Sequence, residues 1–285
     1  MSSRKGRAQT ARETLEILET GFYESPSGQR VDLAEPLKYA IEQSQLYAPQ
    51  QYPEVFSLRD VRKESTPCRG PTRFEVIKCT TLAACRRLVE QDHREDVLCL
   101  NFASAKNPGG GFQNGSQAQE ESLARASGLY ACINPLQTMY ETNRRYRSSL
   151  YTDHMIYSPQ VPVFRDDDDV LLESPWRVSM LTAPAVNAGA VQKNEPENTS
   201  RIQETMIRRI EKLLSIAVVH GHCTLVLGAW GCGVFRNCPS QVAEWFHYHL
   251  LENETFCNTF ERVVFAVLDH GKDLSTIAPF QARFA

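Results

Sequence analysis

The stretch NPGGGFQNGSQAQEESLARASGLY, residues 107–130, places three consecutive glycines seven residues ahead of the triplet Gln119-Glu120-Glu121. Successive glycine amides can turn inward together and bind an anion such as a diphosphate, because no side chain blocks the approach. Glycine triplets are also common in turns, so Gly109, Gly110 and Gly111 taken alone read more readily as a loop. The two acids have a bland reading too, since a carboxylate in a first helical turn stabilises the helix dipole. Neighbouring helical residues point about 100° apart, so Glu120 and Glu121 cannot form the facing pair of an ordinary glycosidase. One could hold a sugar hydroxyl while the other reaches a scissile glycosidic bond. An acid in that role needs a raised pKa, which burial against apolar walls supplies.

A second glycine-rich segment, GAWGCGVFRN at 228–237, repeats the arrangement. Gly231 and Gly233 let the backbone bend tightly, while Phe235 and Arg236 can supply stacking and charge. Cys232 has no histidine partner that the sequence can assign, so it reads as a small packing residue rather than a nucleophile. Neither segment is a common nucleotide fingerprint: GxxxxGK[ST] is absent, and the second loop lacks the third glycine and downstream acid of a dinucleotide site. The four aspartates 166–169 lack the spacing of a calcium loop and read as a solvated loop. His247 and His249 are two apart on an expected helix and face different sides. No compact His/Asp cluster calls for a metal.

The surrounding pattern says what must position these loops. From residue 74 apolar strands alternate with amphipathic helices: FEVIKC, LAACRRLVEQ after a capping Thr80 or Thr81, VLCLNF, a helix from Gln119 to about Cys132, the strands MIYSPQVPVF and VSMLTAPAV, and the helix ETMIRRIEKLLSIAVVHG. CTLVLGAW, SQVAEWFHYHLL and RVVFAVLD complete the series. Such alternation predicts an α/β sheet with helices on both faces, and ligands there bind beyond the carboxyl ends of the strands. Both glycine loops follow expected strands and so arrive at that edge. Residues 1–65 read as a helical extension, with TARETLEILETG and LAEPLKYAIEQSQLY as helices and YAPQQYPEVF as a surface turn. This extension is too small to own a core and should pack on a main domain spanning 66–285.

At 285 residues and 42% hydrophobic the chain can bury a substantial core. A net charge of −3 argues against generic polyanion binding, although a local basic patch is compatible with it. The nine cysteines are odd in number, show no CxxC pair and fall partly in apolar runs, which points to a reducing, intracellular setting, cytoplasmic or nuclear. No apolar run is long enough to span a membrane. The opening MSSRKGRAQTAR has four basic residues and no acid, which leaves a mitochondrial presequence open, although acids begin at Glu13.

Taken together, the segments resemble the microbial-type poly(ADP-ribose) glycohydrolases, a family with the macrodomain fold. Its signature is GGG, six to eight residues, then QEE, matched here by Gly109-Gly110-Gly111, seven residues and Gln119-Glu120-Glu121. The resemblance extends over nearly the whole chain and implies a three-layer α/β/α domain with a mixed central sheet. It implies that Glu121 is the general acid that protonates the leaving ribose oxygen and then the base for the attacking water. Glu120 would hold hydroxyls of the distal ribose, and Gln119 would help position the loop. The amides of Gly109, Gly110 and Gly111, with the loop Gly231, Cys232, Gly233, Val234, Phe235 and Arg236, would bind the diphosphate. Phe235 would press on the distal ribose, with Asn101 and Asn107 as candidate ribose contacts. No metal or cofactor is implied. The expected partner is ADP-ribose polymer or ADP-ribosylated protein, without membrane or direct DNA binding, and the chain is expected to be a monomer. What leaves is open at this point: a ribose–ribose bond within a polymer, a bond to a protein side chain such as arginine, or no bond at all in a non-catalytic reader.

Overall fold

The computed structural model describes residues 3–65, 70–271 and 273–285. Helix α1 (Arg4–Thr20) starts where the Ser3 hydroxyl accepts from the Gly6 amide at 3.1 Å, and stops where Gly21, at φ +75°, returns its N–H to Ile17. A hairpin, β1 (Phe22–Glu24) and β2 (Arg30–Asp32), follows, then α2 (Ala34–Glu42), β3 (Gln45–Tyr47) and α3 (Tyr52–Ser65). The expected alternation then begins with β4 (Arg73–Ile77), α4 (Thr81–Arg86) and β5 (Val97–Phe102). Thr80 does cap α4, accepting from Ala83 N at 3.0 Å. After the glycine loop come α5 (Gln119–Ala126), α6 (Leu129–Ile133), α7 (Thr138–Arg145) and the long hairpin β6 (Met155–Arg165) and β7 (Leu171–Ala183). The chain closes with α8 (Ala188–Asn194), α9 (Arg201–Val219), β8 (Thr224–Leu227), α10 (Pro239–His247), β9 (Arg262–Ala266) and α11 (Ala278–Phe284).

Seven strands form one mixed sheet in the order β3-β6-β7-β5-β8-β9-β4. From β7 to β4 the neighbours are parallel, so β5, β7, β8, β9 and β4 all present their carboxyl ends at one edge. The antiparallel pairs are β6 with β7 and β3 with β6. Alternate residues of β5 feed two cores: Leu98 and Leu100 meet α9 and α10, while Val97 and Cys99 meet α4 and α6. The three-layer expectation is met, and both glycine loops emerge at the carboxyl edge.

Four local expectations are corrected. Residues 1–65 are not purely helical, because β3 joins the main sheet as its edge strand. YAPQQYPEVF is not a surface turn: Tyr52 opens α3, is 1% exposed and donates its hydroxyl to Asp153 O at 2.7 Å, with Pro53 tolerated in the first turn. The helix expected from Gln119 to Cys132 breaks after Ala126, where Ser127 extends to bridge Val163 and a Cβ on Gly128 would lie 2.8 Å from Leu37. The four aspartates do form a solvated loop as expected, the β6–β7 turn, with Asp167 and Asp168 exposed; Asp166 accepts from the amides of Asp168 and Val170 at 2.9 Å, and Asp169 pairs with Arg125. Cys79, Cys85, Cys99, Cys132, Cys232, Cys238 and Cys257 are free thiols, but Cys223 is disulfide-bonded, contrary to a wholly reduced chain; Cys68 lies outside the described residues. Among the described residues no helix is long and apolar enough to cross a membrane.

Candidate active site

The loop between β5 and α5 is folded around its own acids. Gly109 and Gly110 take φ +70° and +60°, the left-handed region that suits glycine. Gly110 N donates to Asn107 O at 3.0 Å, and Gly111 N donates to Glu121 Oε1, also at 3.0 Å. The Gly109 amide faces the Glu120 carboxyl. The sequence reading gave these amides to a diphosphate; the structure gives two of them to the two glutamates. A Cβ on Gly110 would lie 2.5 Å from Glu121 Oε1 and 3.2 Å from Glu120 Oε2, so both carboxyls close over this one residue. Adjacent side chains on a helix start thus converge because the loop, and not the helix, supplies their common contact.

The two acids are placed differently. Glu120 is 2% exposed and accepts from Ser104 N at 2.6 Å and Asn101 Nδ2 at 3.2 Å. Burial pushes it up to about 8, against the Ser104 and Asn101 hydrogen bonds, and the neighbouring Glu121 charge adds to the rise. Glu121 is only half-buried, and its Oε2 has no hydrogen-bond partner among the described residues. That oxygen is left over by the loop's own hydrogen bonding, which takes Oε1 alone.

Gln119 is fixed to the end of β5, accepting from Phe102 N at 2.8 Å and donating to Leu100 O at 2.7 Å and Thr81 Oγ1 at 3.0 Å. Its amide holds α5 against the strand, in keeping with a positioning role. Asn101, expected to reach a ribose, is completely buried behind Glu120 and also donates to Thr182 Oγ1 at 3.1 Å. Its amide is thus engaged behind Glu120 and shielded from solvent. Asn107 is exposed at the loop's outer turn.

The loop after β8 is built around Gly231. At φ +73° its absent Cβ makes room for Ala185 and for Asn237 Nδ2, each 2.6 Å from where a Cβ would stand. Asn237 is buried and donates to Val186 O at 2.7 Å and Gly231 O at 3.1 Å, which closes the loop on itself. Its tip is open: Val234 is 79% exposed, and a Cβ on Gly233 would touch nothing. The amides of Gly233, Val234 and Phe235 have no hydrogen-bond partner among the described residues, so three successive donors line this tip. Cys232 is partly buried against the core, as a packing residue should be. The Phe235 ring lies 5.9 Å from that of Tyr151, and the Arg236 side chain rests on Gly189.

Several participants escape a sequence reading. Ser104 contributes only a backbone amide to Glu120, and any residue type could do that. Tyr140 is fully buried with an unpartnered hydroxyl; burial first, then the Glu120 charge, raise its pKa well above the phenolic range. Arg209 is wholly buried on α9 and donates to Asp153 (2.9 Å), Leu150 O (2.9 Å) and Pro184 O (3.0 Å). It thereby fixes the segments that lead to Tyr151 and away from β7. Burial works to raise Asp153, but Arg209, Lys212 and Arg208 together hold it well below the carboxylate range. Only the pairing of a buried cation with a distant acid could signal this, and nothing in the local pattern of α9 does.

Comparison with known proteins fits this geometry. Residues 11–166 match the catalytic domain of microbial-type poly(ADP-ribose) glycohydrolase, PARG. Among solved structures, poly(ADP-ribose) glycohydrolase from Thermomonospora curvata bound to the inhibitor ADP-HPD superposes with a TM-score of 0.89 at 46% identity, covering 98% of this chain and 100% of that one. The enzyme from Deinococcus radiodurans in complex with ADP-ribose gives 0.80 at 43% identity, over 87% and 96%. Curated proteins give no match. The chain belongs to the microbial-type poly(ADP-ribose) glycohydrolase family.

Proposed function

We propose that the protein hydrolyses the O-glycosidic ribose–ribose bonds of poly(ADP-ribose) and releases ADP-ribose, with Glu121 as general acid and base. The observation that carries the reading is the pair of carboxyls over Gly110, Glu120 buried and held by Ser104 and Asn101, Glu121 half-buried with its Oε2 free of hydrogen bonds among the described residues. Glu121 in its acid form donates a proton to the leaving ribose oxygen as the bond to the anomeric carbon breaks. A water then adds its oxygen to that carbon and returns a proton to Glu121. Glu120 sits beneath the same position and holds ribose hydroxyls, its carboxyl kept in place by Ser104 and Asn101. The free amides of Gly233, Val234 and Phe235 take the diphosphate, and the Phe235 ring, backed by Tyr151, presses on the distal ribose.

The test is release of free ADP-ribose from poly(ADP-ribosyl)ated protein. Glu121→Gln keeps the shape but has no proton to give, and should lower kcat by about a hundredfold or more. Equal turnover by wild type and variant would remove Glu121 from the chemistry. Substrates linked through arginine, glutamate and serine, run beside the polymer, measure how far the same site acts on protein-linked ADP-ribose.

A further inference from the structure

The segment Arg144-Arg145-Tyr146-Arg147 ends α7 and continues past it, and has no part in the site described above. Its position is fixed at both ends. Arg144 donates to Lys106 O in the loop after β5, and to Gln137 Oε1 at 3.3 Å. Beyond Arg147, Ser149 O accepts from Asn187 N at 3.0 Å, at the start of α8. The segment therefore bridges the loops that follow β5 and β7, at the carboxyl edge of the sheet.

The charges here are not consumed by the fold. The Arg145 side chain is 81% exposed, with a single loose pairing to Glu141 at 3.6 Å. Arg147 is exposed and has no partner among the described residues. Lys106 Nζ stands 6.0 Å over the Tyr151 ring, and Tyr151 in turn meets Phe235. Arginines in a last helical turn complement the helix dipole, which accounts for Arg144 but not for Arg147, two residues past the end of α7. The nearby acid Glu195 is occupied by Ser148, Ser149 and Asn198. Tyr146 is 39% exposed between the arginines, an unusual place for a large ring that no core requires. On a chain of net charge −3, cations gathered beside the loop after β5 and Tyr151 are a local feature, and not overall basicity.

Cations interleaved with an exposed aromatic suit a ligand that alternates phosphates with bases, because the ring stacks on a base while the guanidinium groups meet phosphate. If Phe235 marks the terminal ribose, the next unit of the polymer leaves the cleft past Tyr151 and Lys106. We infer that Lys106 and the 144–147 segment form a second subsite, which binds the adenosine diphosphate of the polymer unit on the leaving side of the scissile bond. This rests on the reading of the protein as a polymer hydrolase.

The experiment compares wild type, Lys106→Ala, Tyr146→Ala and the double variant Arg145→Ala/Arg147→Ala. It measures kcat and KM on long polymer across a salt series, with calorimetric affinity for free ADP-ribose alongside. The double variant should raise KM on polymer roughly five- to tenfold and flatten its dependence on log salt by about one unit of slope, since phosphate contacts release counterions. kcat and ADP-ribose affinity should stay as in wild type, and Tyr146→Ala should raise KM without changing the slope. Unchanged KM in the double variant overturns the subsite. A matching loss of ADP-ribose affinity also overturns it, because the arginines would then serve the terminal unit. Wild type that releases no ADP-ribose from polymer would instead defeat the hydrolase reading itself.

Discussion

The two glycine loops look alike in sequence, yet they perform opposite tasks. The loop after β5 is closed by its own hydrogen bonds: its amides go to Glu120 and Glu121, Gln119 clamps α5 to the strand, and Arg125 joins Ser116 O to Asp169. Helix α1 braces its far side, where Arg7 donates to Gly115 O at 2.9 Å and Thr14 to Arg125 O at 2.7 Å. The loop after β8 is held at its base by Asn237 and at Phe235, whose carbonyl accepts from Gly189 N at 3.0 Å, and it leaves the amides of Gly233, Val234 and Phe235 unpaired among the described residues. Glycine in the first loop removes a side chain so that carboxyls can approach the backbone. In the second, beyond Gly231, it leaves the backbone bare for a ligand. In the proposed reading, a preorganised acid and an open anion cradle are thus built from similar residues by different neighbours.

Substitution at matched glycines separates these roles most sharply. Gly110→Val puts a branched side chain at φ +60°, on top of both carboxyls, and should lower kcat on polymer by about a hundredfold or more, as displaced catalytic groups generally do. Circular dichroism should stay close to wild type, because the residue lies in the loop and outside both cores. Near-normal kcat in this variant would mean that the carboxyls are not set by the glycine.

The second effect is smaller and concerns stability against pH. The folded-state pKa of Glu120, about 8, lies above its ordinary 4.5. Below about 4.5 both folded and unfolded chains hold the proton, so burial costs nothing. As pH rises from there to about 8 the unfolded chain ionises first and stability falls; above that range the slope vanishes. The full span is on the order of 4–5 kcal/mol. Glu120→Gln carries no such proton, so its melting temperature relative to wild type should climb between pH 5 and pH 8. Parallel melting curves across that range would show that Glu120 ionises normally in the fold. The second loop should give no comparable signature between pH 5 and pH 8, since burial pushes the Cys232 thiol up, to about 12, and so away from that range.

The contrast also explains what the sequence disclosed. Strands β5 and β8 are legible as short continuous apolar runs, the mark of burial on both faces, and α9 by the i, i+3, i+4 spacing of its buried face. The acids and glycines were visible because their types are chemically costly to place at random. What stayed hidden depends on distant partners. Ser127 breaks a helix only because Val163 is there to pair with it, and Asn101 is engaged behind Glu120 only because Glu120 and Thr182 take its amide. Tyr52 and Arg209 likewise acquire meaning through Asp153, far away in sequence.

The smallest expected change falls at Gly233. It has no positive φ, and a Cβ there would meet nothing within 4 Å, so alanine is admitted without strain. Its amide is still available after the substitution, so the anion cradle keeps all three donors. Gly233→Ala should therefore change ADP-ribose affinity by less than about twofold, with kcat unaltered, since only backbone freedom in the unbound tip is reduced. Calorimetry and steady-state kinetics on the same preparation measure both. A loss as large as that of Gly110→Val would show that the tip must close more tightly on its ligand than its open geometry indicates, and the division between a braced loop and a free one would fail.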